Sequence, residues 1–441
     1  MIRVFLLFVF VFTGFSGSAQ TLHLAATGTT QSLLEQCGCT TNIVGGLEAR
    51  AGYLDVLRKK PEPILLLDVG GFLPETQEAI DLALAKTYVQ GIHRLNYTAL
   101  GFSPADLAFG YETLASLVQA ASLEIVVTNL VSADAKPAFW NQFLVREIEG
   151  IRVGIVALPQ LNPKSFQSSD FRLLEPLPTL ESVVTALRTG EKVDWVILLV
   201  HDNPITLKSW FSGYQGPRID LILTEDFGMN AFQIGETWVM NAGGKGKSLG
   251  LATISSNPQK KIQTLEYQRV MLDPQVYRHR GIRADLNQAY RHMIATLRLD
   301  EAPPSGLLKL DLERDPQNGY VGVEGCIECH EPQYKQWRET AHSFTFNRLL
   351  KDNRHWVPEC LTCHTTGYGH PHGFKRFPDS FQFAHVQCET CHGPGGLHVQ
   401  IQDKSTIRRV PSLALCKECH DQKNSPEFDP YSDLYHKQIV H

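Results

Sequence analysis

The sequence has no strong net charge and, beyond its first 20 residues, no long hydrophobic run. Its 441 residues carry 41 Lys and Arg against 46 Asp and Glu, a formal net charge of -5, which gives no electrostatic reason to expect nucleic acid as a partner. No later run approaches the ~18 apolar residues of a membrane span. Glycine (34) and proline (24) fall short of the share typical of collagen-like or disordered chains. A globular chain of about two or three domains remains.

Cysteine is almost missing from the first part of the chain. Only Cys37 and Cys39 precede residue 322, whereas residues 322–441 hold the other eight cysteines and 12 of the 17 histidines. The chain is therefore chemically lopsided, and its distinctive chemistry lies at the carboxy-terminal side.

The amino terminus has the pattern of a secretory signal peptide. Arg3 precedes an apolar run over residues 4–12, and Gly17-Ser18-Ala19 forms a small-residue cleavage site. The run is too short to cross a hydrocarbon layer of about 30 Å comfortably. We expect cleavage after Ala19, export to the periplasm or the exterior, and no integral membrane span in the mature protein.

Four copies of the pattern C-x-x-C-H follow one another in the final part of the chain. They are Cys326-Ile-Glu-Cys329-His330, Cys360-Leu-Thr-Cys363-His364, Cys388-Glu-Thr-Cys391-His392 and Cys416-Lys-Glu-Cys419-His420. Two thiols at this spacing add to the vinyl groups of one porphyrin, and the adjacent His binds the iron. A zinc site or a disulfide framework would not need a His after every Cys pair. The repeats predict four covalently attached haem c groups with the motif histidines as proximal iron ligands.

The cofactors are also expected to form the core of this region. Each haem has only about 30 residues around it, and the segment is rich in Gly, Pro and polar residues. Without porphyrin faces it could not bury enough apolar surface to offset its conformational entropy. We expect short helices and loops around closely packed haems, with little sheet.

The second axial ligand of each iron separates electron carriers from catalysts. Two strong ligands favour electron transfer, whereas an open face can bind a substrate. Eight histidines outside the motifs are candidates: His342, His355, His370, His372, His385, His398, His436 and His441.

Residues 320–441 resemble multihaem cytochromes of the cytochrome c-554 family, through the segments 325–342, 358–369, 386–398 and 416–441. The resemblance implies three distal ligands. They are His342 after a W-x-x-[ST]-x-H pattern, His398 just beyond C-H-G-P-G, and His441 near the end, with His436 as the competitor of His441. For the fourth iron, His370, His372, His385 and an open face remain alternatives.

The long amino-terminal part alternates apolar strand-like runs with amphipathic helical ones. We predict strands over residues 64–68, 124–128, 151–157, 195–200 and 219–223, and helices over 47–59, 79–95 and 180–189. Together they predict an α/β layered domain with a largely buried sheet. A helix near 274–299 is expected to pack through one apolar face, and Ala302-Pro-Pro-Ser-Gly306 marks a linker.

Five landmarks follow one another along this part: Gly45-Gly46-Leu47, Leu65-Leu-Leu-Asp68, Ala99-Leu-Gly101, Thr128-Asn129-Leu130 and Leu199-Val-His201. Their order resembles the catalytic domain of 5′-nucleotidases, within the calcineurin-like metallophosphoesterases. The resemblance implies a binuclear metal site that activates water for attack on phosphate. Several ligand positions differ: residues 26–31 lack D-x-H, Gly71 replaces an Asp, Pro104-Ala105 replaces Asn-His, and residues 224–227 contain no His. Only Asp106 and His201 match, and two ligands cannot hold two metals. We therefore predict a catalytically inactive scaffold or docking domain and assign no catalytic residue.

The predicted organisation is a signal peptide at 1–19, a metallophosphoesterase-like α/β domain at 20–272, a helix and linker at 273–320, and a small, mainly helical or irregular tetrahaem domain at 321–441. Cys37 and Cys39 are too close for an unstrained disulfide. Two loop thiols, a redox-labile bridge, and a metal or intermolecular contact remain open.

The leading hypothesis is an exported tetrahaem cytochrome that passes electrons between redox proteins. The alternatives are a haem enzyme acting on a small nitrogen or sulfur species at a five-coordinate iron, and a tethering protein that self-associates into an electron conduit. Retained nucleotidase activity is the least favoured function, because most of the metal ligands are missing.

Overall fold

The computed structural model describes residues 20–35, 44–74, 76, 77, 79–225, 228, 230–297, 318–351, 354–421, 425 and 428–432. The expected signal peptide, the Cys37 and Cys39 pair, the linker at 302–306, and His436 and His441 lie outside these residues. No described helix is both long enough and apolar enough to cross a membrane.

Two six-stranded sheets form the centre of the amino-terminal part. The first has the order β14 (Ile262–Met271), β13 (Ser248–Ser256), β1 (Gln20–Gly28), β2 (Ile64–Asp68) and β3 (Ala99–Leu100), with β12 (Gly243–Gly244) also paired to β1. The second has the order β10 (Phe232–Ile234), β11 (Thr237–Asn241), β9 (Leu221–Thr224), β8 (Trp195–Val200), β6 (Ile151–Leu158) and β5 (Leu144–Ile148). A small antiparallel pair joins β4 (Leu130–Ser132) to β7 (Phe171–Leu173).

Both sheets are mixed, with antiparallel strands at one edge of the first sheet and at both edges of the second. β1 runs parallel to β2, and β2 parallel to β3, whereas β13 and β14 pair in antiparallel fashion. In the second sheet β6, β8, β9 and β11 run parallel. The carboxyl ends of β1, β2, β8 and β9 can therefore carry side chains that converge on one cleft.

Fourteen helices accompany the described strands. They are α1 (Leu47–Leu57), α2 (Ala79–His93), α3 (Pro104–Leu107), α4 (Tyr111–Ala120), α5 (Pro176–Thr189), α6 (Pro204–Phe211), α7 (Arg280–Leu297), α8 (Glu324–Ile327), α9 (Glu331–Arg338), α10 (Thr345–Lys351), α11 (Pro358–His364), α12 (Cys388–His392), α13 (Gly396–Ile401) and α14 (Leu413–Cys419).

The two sheets pack face to face between two helical layers. Side chains alternate along a strand, so Leu24 of β1 and Ile197 of β8 enter the core between the sheets. Their neighbours Ala25 and Leu198 face outward, the first toward a core shared with α1, α2, α4 and α7, the second toward a core shared with α5. This helix–sheet–sheet–helix arrangement confirms the predicted α/β layered class.

The carboxy-terminal part contains short helices and loops, as expected. Its described residues include no β-strand, only an isolated bridge between Thr365 and Ala384. Its own apolar cluster is small and consists of Phe346, Leu349, Leu361, Tyr368, Phe374, Phe383 and Ala384. A core of this size is consistent with a region that relies on a cofactor for additional apolar surface.

Most predicted elements are found, with shifted ends. The strands at 64–68 and 195–200 have the predicted limits, whereas α5 begins four residues early, at Pro176. The strand predicted over 124–128 is wrong: Ile125 and Val126 form only isolated bridges, to Leu100 and Asn141. The apolar run there reflects burial in the core, which a short run cannot distinguish from strand pairing.

The helix predicted near 274–299 is α7. Ile282, Leu286 and Tyr290 are each 1% exposed and belong to the same core as α1 and α2. The apolar face of α7 is thus used for packing inside the chain.

Candidate functional site

Each C-x-x-C-H motif is built on or beside a short helix. The second and third motifs lie within α11 and α12, the fourth begins in α14, and the first begins at the end of α8. In a helix, residues three and four apart share a face, so this local fold turns both thiols and the imidazole of a motif to one side. All eight motif cysteines are free thiols.

Two pairs of imidazoles face each other across the carboxy-terminal part. The ring centroids of His330 and His398 are 6.4 Å apart, with an angle of 28° between the planes. Those of His342 and His420 are 5.9 Å apart, at 65°. Two imidazoles that bind opposite faces of one metal ion, at metal–nitrogen distances of about 2 Å, have centroids roughly 6 Å apart. Each pair joins one motif histidine to one distal histidine predicted from the sequence.

Hydrogen bonds to backbone carbonyls fix the tautomer of two motif histidines and of one facing histidine. Nδ1 of His364 donates to the carbonyl oxygen of Thr345 (2.8 Å). In the same way, Nδ1 of His392 donates to the carbonyl of Arg408 (2.7 Å) and Nδ1 of His398 to that of Asp403 (3.0 Å). A carbonyl can only accept, so Nδ1 carries the proton and Nε2 is the basic nitrogen. Hydrogen bonds from the ring nitrogen that does not bind the metal orient histidine ligands in metal sites.

Burial favours the neutral form of the facing rings. Desolvation, followed by the neighbouring His420, lowers the pKa of His342 to about 4, and desolvation also lowers the pKa of His420. Both rings are therefore neutral at neutral pH, which is the form that binds a metal ion.

Two other candidate ligands use their rings differently. Nδ1 of His385 accepts a hydrogen bond from the amide of Phe346 (3.1 Å), and Nδ1 of His370 accepts one from the amide of His372 (3.2 Å). The proton of each neutral ring is therefore on Nε2, which leaves no basic nitrogen for iron. His372 itself is exposed.

The motifs approach each other in pairs. The thiols of Cys326 and Cys388 lie close together, and so do those of Cys363 and Cys419. The first motif thus lies beside the third, and the second beside the fourth.

Glu389, inside the third motif, ties this motif to the chain that enters the first. Its buried carboxylate accepts hydrogen bonds from the amides of Val321 (3.0 Å), Gly322 (2.8 Å) and Gly395 (2.7 Å). Gly395 directly precedes α13, which carries His398. The carboxylate therefore links the segment leading to His330 with the helix that carries the facing imidazole.

The second candidate site is the cleft where β1, β2, β8 and β9 end. Burial, opposed by hydrogen bonds from Thr27 and from the amide of Gly70, raises the pKa of Asp68 to about 7. The carboxylate of Asp106 accepts from the amides of Gly71 (2.6 Å), Leu73 (2.9 Å) and Ser103 (2.8 Å). Asp106 matches a metal-ligand position in the sequence resemblance, but its carboxylate is hydrogen-bonded to backbone amides.

An ion pair occupies the middle of this cleft. Nε2 of His201 lies 2.7 Å from Oε1 of Glu225, and Oγ1 of Thr29 lies 3.3 Å from the same oxygen. A Cβ placed on Gly71 would come within 2.8 Å of Nε2 of His201 and 2.9 Å of Cα of Thr29, so an aspartate at this position would clash. Among the described residues, no three His, Cys, Asp or Glu side chains are grouped as a metal site.

The carboxy-terminal part has relatives in one known family. The model of the family "Cytochrome c554 and c-prime" matches residues 325–393. Cytochrome c-554 of Nitrosomonas europaea is 29% identical over 91 residues, which are 17% of this chain and 39% of the relative. Over residues 325–393, this chain is therefore similar to the cytochrome c554 family. The similarity to a cytochrome c family implies covalently bound haem c.

The amino-terminal part has the metallophosphoesterase fold. A 5′-nucleotidase precursor from Thermus thermophilus superposes with a TM-score of 0.55 at 19% identity, over 64% of this chain and 61% of the other. A calcineurin-like phosphoesterase from Bacillus subtilis superposes with a TM-score of 0.50 at 15% identity, over 64% of this chain and 99% of the other. The chain thus spans less than two thirds of the cytochrome and of the nucleotidase precursor that it matches. Both predicted resemblances are confirmed, at the level of family for the cytochrome and of fold for the phosphoesterase.

The residues of the cytochrome part fit haem c. Free thiols at the required spacing, a histidine after each pair, and two facing imidazole pairs at axial separation provide the donor set that a covalently attached haem needs. When bound, each iron would supply one-electron chemistry between its ferric and ferrous forms.

Sequence reasoning missed two parts of these sites. Glu225 meets His201 because β8 and β9 are parallel neighbours, and their pairing places the residues after both strands at one edge. Nothing in the sequence indicated a structural role for Glu389, because it occupies one of the two unspecified positions of the C-x-x-C-H pattern. The pairing of His398 with the first motif and of His342 with the fourth follows from the tertiary fold.

Proposed function

We propose that this protein is an exported tetrahaem c-type cytochrome that transfers single electrons between redox partners. The observation that carries this proposal is the facing of His330 with His398 and of His342 with His420 at axial separation. Two imidazoles saturate an iron and favour electron transfer over substrate binding. The other two haems would be held by Cys360, Cys363 and His364, and by Cys388, Cys391 and His392. His441, with His436 as its competitor, stays the predicted distal ligand for one of them.

The paired motifs support electron passage inside the molecule. Cys326 contacts Cys388 and Cys363 contacts Cys419, so the haem attached by the first motif would lie beside that of the third, and the second beside the fourth. An electron that enters at one haem would then leave from another without a mobile carrier. The protein sets the order, ligation and surroundings of the haems.

The test is a count of haems together with their spin state. A pyridine haemochrome assay on the purified exported protein should give four haem c per chain. Electron paramagnetic resonance of the oxidised protein should show low-spin bis-imidazole signals for at least two of them. Rapid mixing with a reduced small redox protein should reduce all four haems. Fewer covalent haems, or a wholly high-spin spectrum, would contradict the proposal.

The amino-terminal domain is proposed to be a scaffold without phosphoesterase activity. The His201–Glu225 pair and the close approach of Gly71 to both His201 and Thr29 support this role, since they occupy the space and the charges of a metal centre. Assays with nucleotide substrates and added Mn²⁺ or Zn²⁺ should release no phosphate above background. Metal-dependent turnover that is lost in His201→Ala would overturn this part of the proposal.

A second candidate function is catalysis at a five-coordinate haem on a small nitrogen or sulfur species. It is favoured by the Nδ1 hydrogen bonds of His370 and His385, which remove two candidate ligands. A high-spin ferric signal from one haem, with binding of nitric oxide or carbon monoxide to that haem in the reduced protein, would support it. Four low-spin haems that bind neither gas would exclude it.

Self-association into an electron conduit is the third candidate. Its support is the close approach of the motifs in two pairs, which would place haems near one another within each molecule. Sedimentation of the purified protein over a range of concentrations should show oligomers if this function holds, and a strictly monomeric protein would contradict it.

A further inference from the structure

The amino-terminal domain and the cytochrome part share one apolar core at the second haem motif. Val357, 1% exposed, belongs to the core formed around α1, α2 and α7, and Trp356 and Cys360 pack against it. The rings of Tyr290 on α7 and Trp356 meet edge to face, with centroids 4.9 Å apart. The second motif is thus packed on the phosphoesterase-like domain.

A group of largely buried charged side chains lies at the same contact. The carboxylate of Glu35 accepts from Arg283 on α7 at 2.9 Å and from Arg354 of the cytochrome part at 2.9 Å. Arg283 also contacts Glu48 on α1. The side chains of Glu35 and Arg354 are each only 10% exposed. Charges at such sites are screened far less by solvent and salt than surface charges are.

These charges lie within electrostatic reach of the second motif. Burial raises the pKa of the Cys360 thiol, and the charges of Arg354, Glu359 and Glu35 are near enough to contribute to its shift. Burial also raises the pKa of Tyr290, with contributions from the same three residues and from Cys360. Nε of Arg354 is buried and has no hydrogen-bond partner among the described residues. Cys360, as a haem attachment point, would bring a porphyrin edge to this place.

We propose that Glu35 and Arg354 set the reduction potential of the second haem, so that the phosphoesterase-like domain is part of the pocket of this haem. The inference rests on the proposed function, since it requires a haem at Cys360, Cys363 and His364. Nearby fixed charges and burial are the means by which a protein tunes a haem potential. A positive charge stabilises the electron-rich ferrous form, and a negative charge destabilises it.

Opposite shifts are expected from the two charge-removing variants. Glu35→Gln keeps the shape of the side chain but leaves Arg354 uncompensated, so one of the four haems should become easier to reduce. Arg354→Gln leaves Glu35 with Arg283 alone and should make the same haem harder to reduce. We expect roughly a tenfold change in the reduced-to-oxidised ratio of that haem at a fixed potential, about 59 mV for one electron. Arg354→Lys keeps the charge and should leave the potential close to that of the wild type.

The matched control is Asp220→Asn. Asp220 is a buried carboxylate with two arginine partners, Arg188 and Arg218, at the start of β9 in the other sheet. It undergoes the same change of charge, yet it is not near any haem motif. Its substitution should leave all four potentials unchanged.

The measurement is a spectroelectrochemical titration of the full-length holoprotein, fitted to four one-electron components. A positive shift of one component in Glu35→Gln and a negative shift of the same component in Arg354→Gln would support the inference. No shift, shifts of equal sign, or an equal shift in Asp220→Asn would overturn it. If the wild-type protein holds no haem at the second motif, the proposed function fails first, and the haem assay reveals this before any titration.

Discussion

Glu389 shows how one buried carboxylate can hold together two chain segments that carry proposed haem ligands. Its oxygens accept three backbone hydrogen bonds, two from Val321 and Gly322 before the first motif and one from Gly395 before α13. The side chain is 1% exposed. Removal of such an acceptor leaves buried N–H groups unsatisfied, at a cost of about 1–3 kcal/mol for each group.

We therefore predict that Glu389→Ala disturbs the pairing of His330 with His398. The variant should lose about 3 kcal/mol of stability, and one haem should change in part from low-spin to high-spin. Glu389→Gln, which keeps one acceptor oxygen, should show a smaller change. Electron paramagnetic resonance and optical spectra of the oxidised protein measure both effects.

Glu328 provides the control for this prediction. It also lies between the two cysteines of a C-x-x-C-H motif, but it is exposed. Glu328→Gln should keep the wild-type spectrum. If the Glu389 variants keep a fully low-spin spectrum too, the carboxylate has no role in positioning the ligands.

The His201–Glu225 pair predicts a defined pH dependence of stability. Burial alone would lower the pKa of His201, but the hydrogen bond and charge of Glu225 raise it above its ordinary 6.5. Burial alone would raise the pKa of Glu225, but His201 lowers it below its ordinary 4.5. The histidine contribution is complete below pH 6.5 and is lost as the pH rises through the raised value. The glutamate contribution is complete above pH 4.5 and is lost as the pH falls through the lowered value.

The pair should therefore stabilise the amino-terminal domain most between pH 4.5 and 6.5. Glu225→Gln should reduce stability in this window by about 1 kcal/mol and flatten the pH profile above it. Thermal unfolding followed by circular dichroism across the pH range measures this. Glu236→Gln removes an exposed partner of Arg218 and should change little. An unchanged profile in Glu225→Gln would show that the pair contributes no stability.

Short helices, rather than long ones, arrange the ligands at the scale of secondary structure. α13, six residues long, carries His398 to the first motif, and the 3₁₀ turn Ala341–Phe344 carries His342 to the fourth. Each pair of facing imidazoles therefore joins elements that are far apart in sequence. Loss of one distal ligand should affect one haem and leave the others unchanged.

We predict that His398→Ala and His342→Ala each convert one haem from low-spin to high-spin. Covalent haem content should remain at four, because the attachment motifs are untouched. The high-spin haem should bind carbon monoxide when reduced, which the wild-type pair prevents by saturating the iron. His372→Ala, an exposed histidine of the same region, is the control. A low-spin spectrum in His398→Ala would show that another side chain ligates the first haem.

Local sequence patterns predicted the secondary-structure elements and the motifs well. They did not predict which side chains far apart in sequence contact each other. The apolar run at 64–68 forms β2 with the predicted limits, because a buried parallel strand leaves a continuous apolar signature. The run at 124–128 is equally apolar but forms only bridges. Likewise, the motif spacing predicts that His330 is an iron ligand, but the imidazole that faces it follows only from the fold. The Nδ1 bonds of His370 and His385 depend on loop geometry that no periodicity encodes.

The whole molecule combines a complete core with an incomplete one. The amino-terminal domain has three buried clusters, between the sheets and on both outer faces. The described cytochrome part has one small cluster of its own, together with the residues that it packs on α7. Several of its large apolar side chains are exposed, among them Phe344 (56%), Ile401 (53%) and Val410 (74%). Porphyrin faces would cover apolar surface of this kind.

Folding of the cytochrome part should consequently depend on its cofactors, and folding of the amino-terminal domain should not. We predict that a variant with all eight motif cysteines changed to serine becomes sensitive to trypsin throughout residues 318–432. The clusters on both sides of the two sheets contain no motif side chain except Cys360 at the edge, so a fragment ending near α7 should resist digestion. Intact mass spectrometry of the digest identifies the boundary.

The second motif should be the last segment of the cytochrome part to become sensitive. Trp356 and Val357 keep their apolar contacts with the α7 core in the absence of haem, and the Glu35–Arg354 ion pair does not involve the cofactor. Cleavage after Arg338 and Arg408 should therefore precede cleavage after Arg354. A serine variant that resists trypsin as well as the holoprotein does would show that the polypeptide alone supplies the core. Early loss of 354–364 would show that the contact between the two parts depends on haem.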